Sequence, residues 1–165
     1  MPSLAMKAPT LAFLVRHPAH FIALGFGAGL SPFAPGTAGT LVAFPIWWLM
    51  RDGYEPLVLL AILAALFVIG VWACSRTGRD LGVSDHGAMC WDEIVAFLLV
   101  LAIAPEGAAW QAAAFFLFRA FDVVKPPPIR QVEMRFKGGF GVMVDDVLAA
   151  GYTLLVLAVA KRMFF

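Results

Sequence analysis

An all-helical, polytopic membrane bundle with re-entrant or interfacial Gly/Pro-rich loops is the fold class this sequence predicts, and three observations predict it. Of its 165 residues 62% are hydrophobic and only 14% charged, whereas a soluble domain carries about 25% charged residues. The mean hydropathy is +0.87. The few charges are unevenly placed, so that long uncharged stretches alternate with short polar, Gly- and Pro-rich segments. Such content excludes intrinsic disorder, and the length suits a single domain over residues 1–165.

Taken in order, residues 10–30 read as an interfacial helix leading into a Pro/Gly loop. Arg16, His17 and His20 interrupt the early apolar run, so a cleavable signal peptide is not expected. Ser31-Pro32-Phe33-Ala34-Pro35-Gly36 breaks any helix through it. A first span is expected over 37–50, and Leu57–Ser75, with 19 uncharged residues, is the cleanest candidate, since a core about 30 Å thick needs ~20 apolar residues. Ile94–Pro105, Ala108–Phe118 and Val147–Ala160 supply shorter uncharged stretches of 12, 11 and 14 residues. Pro126-Pro127-Pro128 ends the helix before it.

If all five stretches span, Lys7, Arg16, Arg76, Arg79, Arg119, Lys125, Arg130, Arg135 and Lys137 fall on one side. Arg51, Lys161 and Arg162 fall on the other. Cytoplasmic loops carry the excess of Lys and Arg, so the large loops are expected in the cytoplasm. Eight of the eleven acids share that side. Twelve basic residues against eleven acidic ones, net +1, leave no electrostatic footprint for nucleic acid. Cys74 and Cys90 form neither a disulfide framework nor a metal-ligand pattern.

Four polar clusters stand out. Residues 25–40, GFGAGLSPFAPGTAGT, place five glycines with Ser31, Thr37 and Thr40, and backbone N–H groups with hydroxyls can cradle a phosphate. Turn formation and small-residue packing explain the same residues. In DHGAMCWDEIV, Asp92 and Glu93 open an apolar helix, where capping suits one acid and two favour a cation site; His86 is a candidate for proton transfer or phosphate contact. In FRAFDVVKPPPIR, Arg119, Asp122 and Lys125 recur every three residues, an anion-holding row or an ion-pair row, with Arg130 beyond the turn. In KGGFGVMVDDVLA, Asp145 and Asp146 enter another apolar helix. Acids at such depth are paired, and Mg²⁺ takes one or two carboxylates with phosphate oxygens and water. Neighbours on a helix point about 100° apart, so one acid from each pair is expected on the metal.

Together, in this order and spacing, the four segments resemble the phosphatidylglycerophosphatase A family of bacterial membrane lipid phosphatases, over about residues 18–160. The resemblance implies Mg²⁺-dependent removal of the terminal phosphate of phosphatidylglycerophosphate at the cytoplasmic face of the inner membrane. Its partners would be that phospholipid and the bilayer; no oligomeric state is implied. Lys137, Ala96, Ala150 and Pro127 depart from residues usual in the family, and no motif acid, Arg or Lys is lost.

The inventory also excludes other phosphatase chemistries. Neither cysteine begins Cys-x₅-Arg, since Asp80 and Ala96 stand at the needed places, and no Asp-x-Asp is present. A metal-activated water remains. The expected metal ligands are Glu93 with Asp145 or Asp146, and Asp92 beside them. Arg119, Lys125 and Arg130 are the expected phosphoryl clamp, and Asp92 or Asp122 the base. A small transporter using its acids for ion passage is the rival reading.

Overall fold

The structure, a computed structural model, describes residues 8–164, and among these every regular element is helical. Lys7, one of the nine basic residues assigned to the cytoplasmic side, lies outside the described residues. The N-terminal stretch is two short helices, α1 (Leu11–Arg16) and α2 (Pro18–Ala23), followed by a 3₁₀ segment, η1 (Gly25–Leu30). Thr10 caps α1 by accepting from the Phe13 amide, and the His17 ring caps α2 by accepting from Ala19, satisfying amides that have no partner inside a helix. Phe26 and Gly27 have positive φ, which kinks η1.

Six further helices follow. They are α3 (Pro35–Met50), α4 (Pro56–Leu81), α5 (Trp91–Ile103) and α6 (Ala108–Val124), followed by the short α7 (Ile129–Arg135) and the long α8 (Gly138–Phe164). Pro35 and Pro56 each stand at a helix start, where the missing N–H costs nothing. Helix α4 stops at Gly82 in the left-handed region, with the Val83 amide returning to the Gly78 carbonyl at 3.0 Å.

The five expected apolar stretches lie in helices, apart from Ala104 and Pro105 beyond the end of α5, but their roles differ. Among the described residues only α4 and α8, at 26 and 27 residues, are long and apolar enough to cross a membrane. Helix α5 has 13 residues and is buried from Trp91 through Leu98, as expected of a helix apolar on every side. It forms the centre of the bundle, packed by α3, α4, α6 and α8. Phe97, Ile94 and Leu98 fill the core against Phe118 and Met143. Large apolar side chains of α4, including Leu57, Leu60 and Val68, and of α8, including Leu155 and Val159, point outward. Exposed apolar surface on this scale marks contact with lipid or another protein.

Helices α4 and α8 meet through a glycine. The Gly139 amide donates to Ser75 Oγ at 3.1 Å, and a Cβ on Gly139 would collide with the Val71 carbonyl and Ser75. Gly139→Ala is expected to cost about 2–4 kcal/mol, the range for overpacking a tight contact together with a displaced hydrogen bond. A clear drop in the thermal midpoint of the detergent-solubilised protein checks this.

Candidate active site

The central helix begins at the site. Its start is fixed from two directions: the Cys90 amide donates to the Ala23 carbonyl at 2.9 Å, and Trp91 Nε1 donates to the Leu66 carbonyl at 3.1 Å. The first turn of α5 therefore presents Asp92 and Glu93 inside the bundle, both buried. Asp145 and Asp146 lie two turns into α8, also buried.

Carboxylate oxygens of Asp92, Glu93 and Asp146 lie within 4.8 Å of one another. The expectation of one acid from each pair differs from this grouping, which takes both acids of α5 and one of α8. Two adjacent positions can converge because Glu93 has one methylene more than Asp92 and Asp146 approaches from a separate helix. Asp145 turns aside: its Oδ2 lies 3.5 Å from Lys125 Nζ.

The cations complete the cluster. Arg119 Nη1 binds Asp122 Oδ2 across one turn of α6 and lies 3.6 Å from Glu93 Oε1. Lys125 does not continue the row of Arg119 and Asp122. It is the C-terminal cap of α6 in the left-handed region, at φ 48°, so its side chain leaves the helix face. Its Nζ donates to Glu133 Oε1 on α7 at 2.8 Å. Burial alone would lower the Lys125 ammonium; the Glu133 hydrogen bond, with Asp145 and Asp85 nearby, instead holds it well above its ordinary value.

Five buried polar side-chain atoms in this cluster lack any hydrogen-bond partner: Asp92 Oδ1, Glu93 Oε2, Asp145 Oδ1, Asp146 Oδ2 and Arg119 Nε. Unpaired buried groups cost about 1–3 kcal/mol each, more when charged, so a native fold keeps them for a purpose. A cavity of about 120 Å³ opens among Asp92, Glu93, Asp122, Lys125, Asp145 and Asp146. Six carboxylates, Asp85 included, line it with one cation, Lys125, while Arg119 pairs with Glu93 and Asp122 beside it. Hard oxygen donors in negative excess suit a divalent cation of the Mg²⁺ type, and the free Arg119 Nε suits an anion beside it.

The other predicted residues fall at varying distances from this centre. The loop of 31–36 does reach it, through a residue not singled out by its chemistry: a Cβ on Gly36 would strike Glu93 Oε1 and lie 3.0 Å from Arg119 Nη2. Thr37 follows, half-buried, in the first turn of α3. Ser31 donates to the Phe33 carbonyl and Thr40 to the Gly36 carbonyl, so both hydroxyl protons are spent within the loop and helix. His86 Nδ1 accepts from the Ala88 amide, forming the turn before α5. Arg130 is exposed on α7. Glu133 was not among the predicted site residues; the prolines between it and Lys125 reverse the chain, so no helical spacing joins the two.

Comparisons with known proteins show the family. The pattern of the phosphatidylglycerophosphatase A family matches residues 21–161. Phosphatidylglycerophosphatase A of Escherichia coli is 43% identical over 137 residues, 82% of this chain and 78% of its own. That of Haemophilus influenzae is 42% identical over 150 residues, 90% of this chain and 92% of its own. A Bacteroides thetaiotaomicron protein, provisionally named a phosphatidylinositol-3-phosphatase, is 44% identical over 147 residues, 85% of this chain and 91% of its own. No solved structure matches the chain. With the match running through all four polar clusters and most of the length, the chain belongs to the phosphatidylglycerophosphatase A family.

Proposed function

We propose that this chain hydrolyses the terminal phosphate monoester of phosphatidylglycerophosphate, giving phosphatidylglycerol and inorganic phosphate, with Mg²⁺ held by Asp92, Glu93 and Asp146. The observation that carries the reading is the convergence of three buried carboxylates, each with an unpartnered oxygen, beside a guanidinium with a free N–H. Family membership supplies the substrate class.

Mg²⁺, when bound, would neutralise phosphate charge and lower the pKa of water nearby. The chain's own residues do the rest. Arg119, braced by Asp122 and Glu93, stabilises charge on the transferring phosphoryl group, as fixed cations do in phosphoryl transfer. Asp122 thus orients Arg119; its Oδ2 is occupied and it is poorly placed as a base. Asp145, with a free Oδ1 and Lys125 keeping the other oxygen in place, takes the proton of the attacking water. The water oxygen bonds to phosphorus, the ester P–O bond breaks, and the departing glycerol oxygen takes up the proton that Asp145 has accepted.

The membrane placement follows from charge. The end of α4 and the start of α8 lie together, as the Gly139–Ser75 hydrogen bond requires, and the acids open toward this end. Arg76, Arg79, Lys125, Arg130, Arg135 and Lys137 surround it, while Arg51, Lys161 and Arg162 lie at the ends opposite. Excess Lys and Arg mark the cytoplasmic side, so the site faces the cytoplasm from a multi-pass bundle in the bacterial inner membrane. Acids gathered at one end also disfavour ion passage, which needs them along a through path.

Purified protein in mixed micelles should release inorganic phosphate from phosphatidylglycerophosphate, stop when Mg²⁺ is chelated and recover when it is restored. Full activity in excess chelator would refute the metal, and no release from this lipid would refute the substrate. Gly36→Ala should lower turnover roughly 10- to 100-fold, of the order expected from an ångström-scale misplacement, with helical content unchanged by circular dichroism.

A further inference from the structure

His20 is a buried titratable side chain that the proposed chemistry does not use. Its side chain is 2% exposed. Nδ1 lies 2.9 Å from the Phe13 carbonyl oxygen of α1, and Nε2 lies 2.8 Å from Asp80 Oδ2 of α4. A carbonyl oxygen can only accept. Asp80 Oδ2 also accepts from Arg76 Nε at 2.9 Å, which fixes it as a carboxylate oxygen. Both ring nitrogens therefore face acceptors, and only an imidazole carrying both protons can make both bonds. The ring also stacks on Phe13, with centroids 3.9 Å apart and planes 7° from parallel, a placement that favours a cation.

This clamp joins α1, α2 and α4, and its consequence reaches the acid cluster. Three residues after His20, the Ala23 carbonyl accepts from the amide of Cys90, the residue that caps α5 immediately before Trp91, Asp92 and Glu93. The seating is close, since a Cβ on Gly25 would lie 2.6 Å from Cys90 Sγ. The position of α2 therefore sets the position of the turn bearing two of the three converging carboxylates.

We infer that His20 is a positioning residue for the metal-binding acids, holding α2 in register through paired hydrogen bonds from its doubly protonated ring to Phe13 and Asp80. This rests on the reading of Asp92, Glu93 and Asp146 as the metal site. The charged or titratable groups against the ring are Asp80 and, through it, Arg76 on α4, together with His17 at the cap of its own helix, whose ring centroid is 5.5 Å away. From α1 it meets the Phe13 carbonyl and ring.

The test uses Mn²⁺ as the probe on full-length protein in detergent, with bound metal followed by electron paramagnetic resonance and the Cys90 amide by hydrogen exchange. His20→Gln should weaken Mn²⁺ binding about 10-fold, and speed Cys90 exchange by a similar factor, one hydrogen bond's worth. A role of the ring in packing alone would leave Mn²⁺ affinity and Cys90 exchange unchanged when only its hydrogen-bond partner Asp80 is altered. Asp80→Asn, at a partly exposed position, keeps an acceptor but removes the charge. It should fall between the two, and it decides the matter if His20→Gln does not fold. Wild type that binds no Mn²⁺ would overturn the metal-site reading itself. Wild type that binds Mn²⁺ while both variants match it in affinity and Cys90 exchange, or an Asp80→Asn variant that matches wild type in both, would overturn the role of His20.

Discussion

Glu93→Gln, Asp146→Asn and Asp92→Asn should each lower turnover by about a thousandfold or more, while making the metal-free protein more stable. The two effects have one cause. Three buried carboxylates converge within 4.8 Å, each with an oxygen that no protein donor satisfies. Without a cation they repel one another and forgo hydration, so neutralising one relieves strain. With a cation the same oxygens are its ligands, and losing one removes both affinity and charge stabilisation, each worth several kcal/mol. Thermal unfolding with and without Mg²⁺ measures this directly: wild type should gain midpoint on adding metal, and the variants should start higher and gain little. Variants less stable than metal-free wild type that still respond fully to Mg²⁺ would indicate ordinary ion-pair partners instead.

Arg119 should be nearly as sensitive, through a different balance. Its guanidinium is the cation between Glu93 and Asp122, with side chains 17%, 11% and 12% exposed. Arg119→Met leaves both acids without that partner, and removing one member of a buried pair costs about 3–5 kcal/mol. Arg119→Lys keeps the charge but cannot span two acids and a phosphate with a rigid fork. The Lys variant should therefore fold, bind Mg²⁺ and lose about 100- to 1,000-fold in kcat, the range for removing one fixed donor to transition-state charge. Steady-state kinetics on the micellar lipid check it; a change confined to KM would place Arg119 in ground-state binding alone.

Much of this architecture was legible in the sequence because charge is scarce in it. Every uncharged stretch became part of a helix, and the acid pair at 92–93 lies at a helix start as expected. Pro35, Pro56 and Gly82 mark boundaries by backbone chemistry that does not depend on tertiary contacts. The four polar clusters were legible as motifs, and each brings at least one residue to the acid cluster: Gly36, Asp92 with Glu93, Arg119 with Asp122, and Asp146.

Their mutual arrangement was not. Which acids converge depends on the rotation of α8 against α5, and a stretch apolar on nearly every side carries no period from which rotation can be read. Lys125 looked like the third member of a helical row, but the prolines after it stop α6 at Val124 and leave it in the left-handed region, aimed at Glu133 and Asp145. The role of Gly36 is that of an absent side chain, which spacing cannot reveal. The short stretch at 94–105 resembled a weak span because a buried core helix and a lipid-facing one share composition; only its burial on all sides separates them.

The most direct measurement of the central claim is the position of the metal. Anomalous scattering from Mn²⁺-loaded crystals of the protein should give a peak within coordination reach, about 2.0–2.2 Å for a small hard divalent ion, of oxygens from Asp92, Glu93 and Asp146. A peak at another acid cluster with none at these three residues would contradict the account.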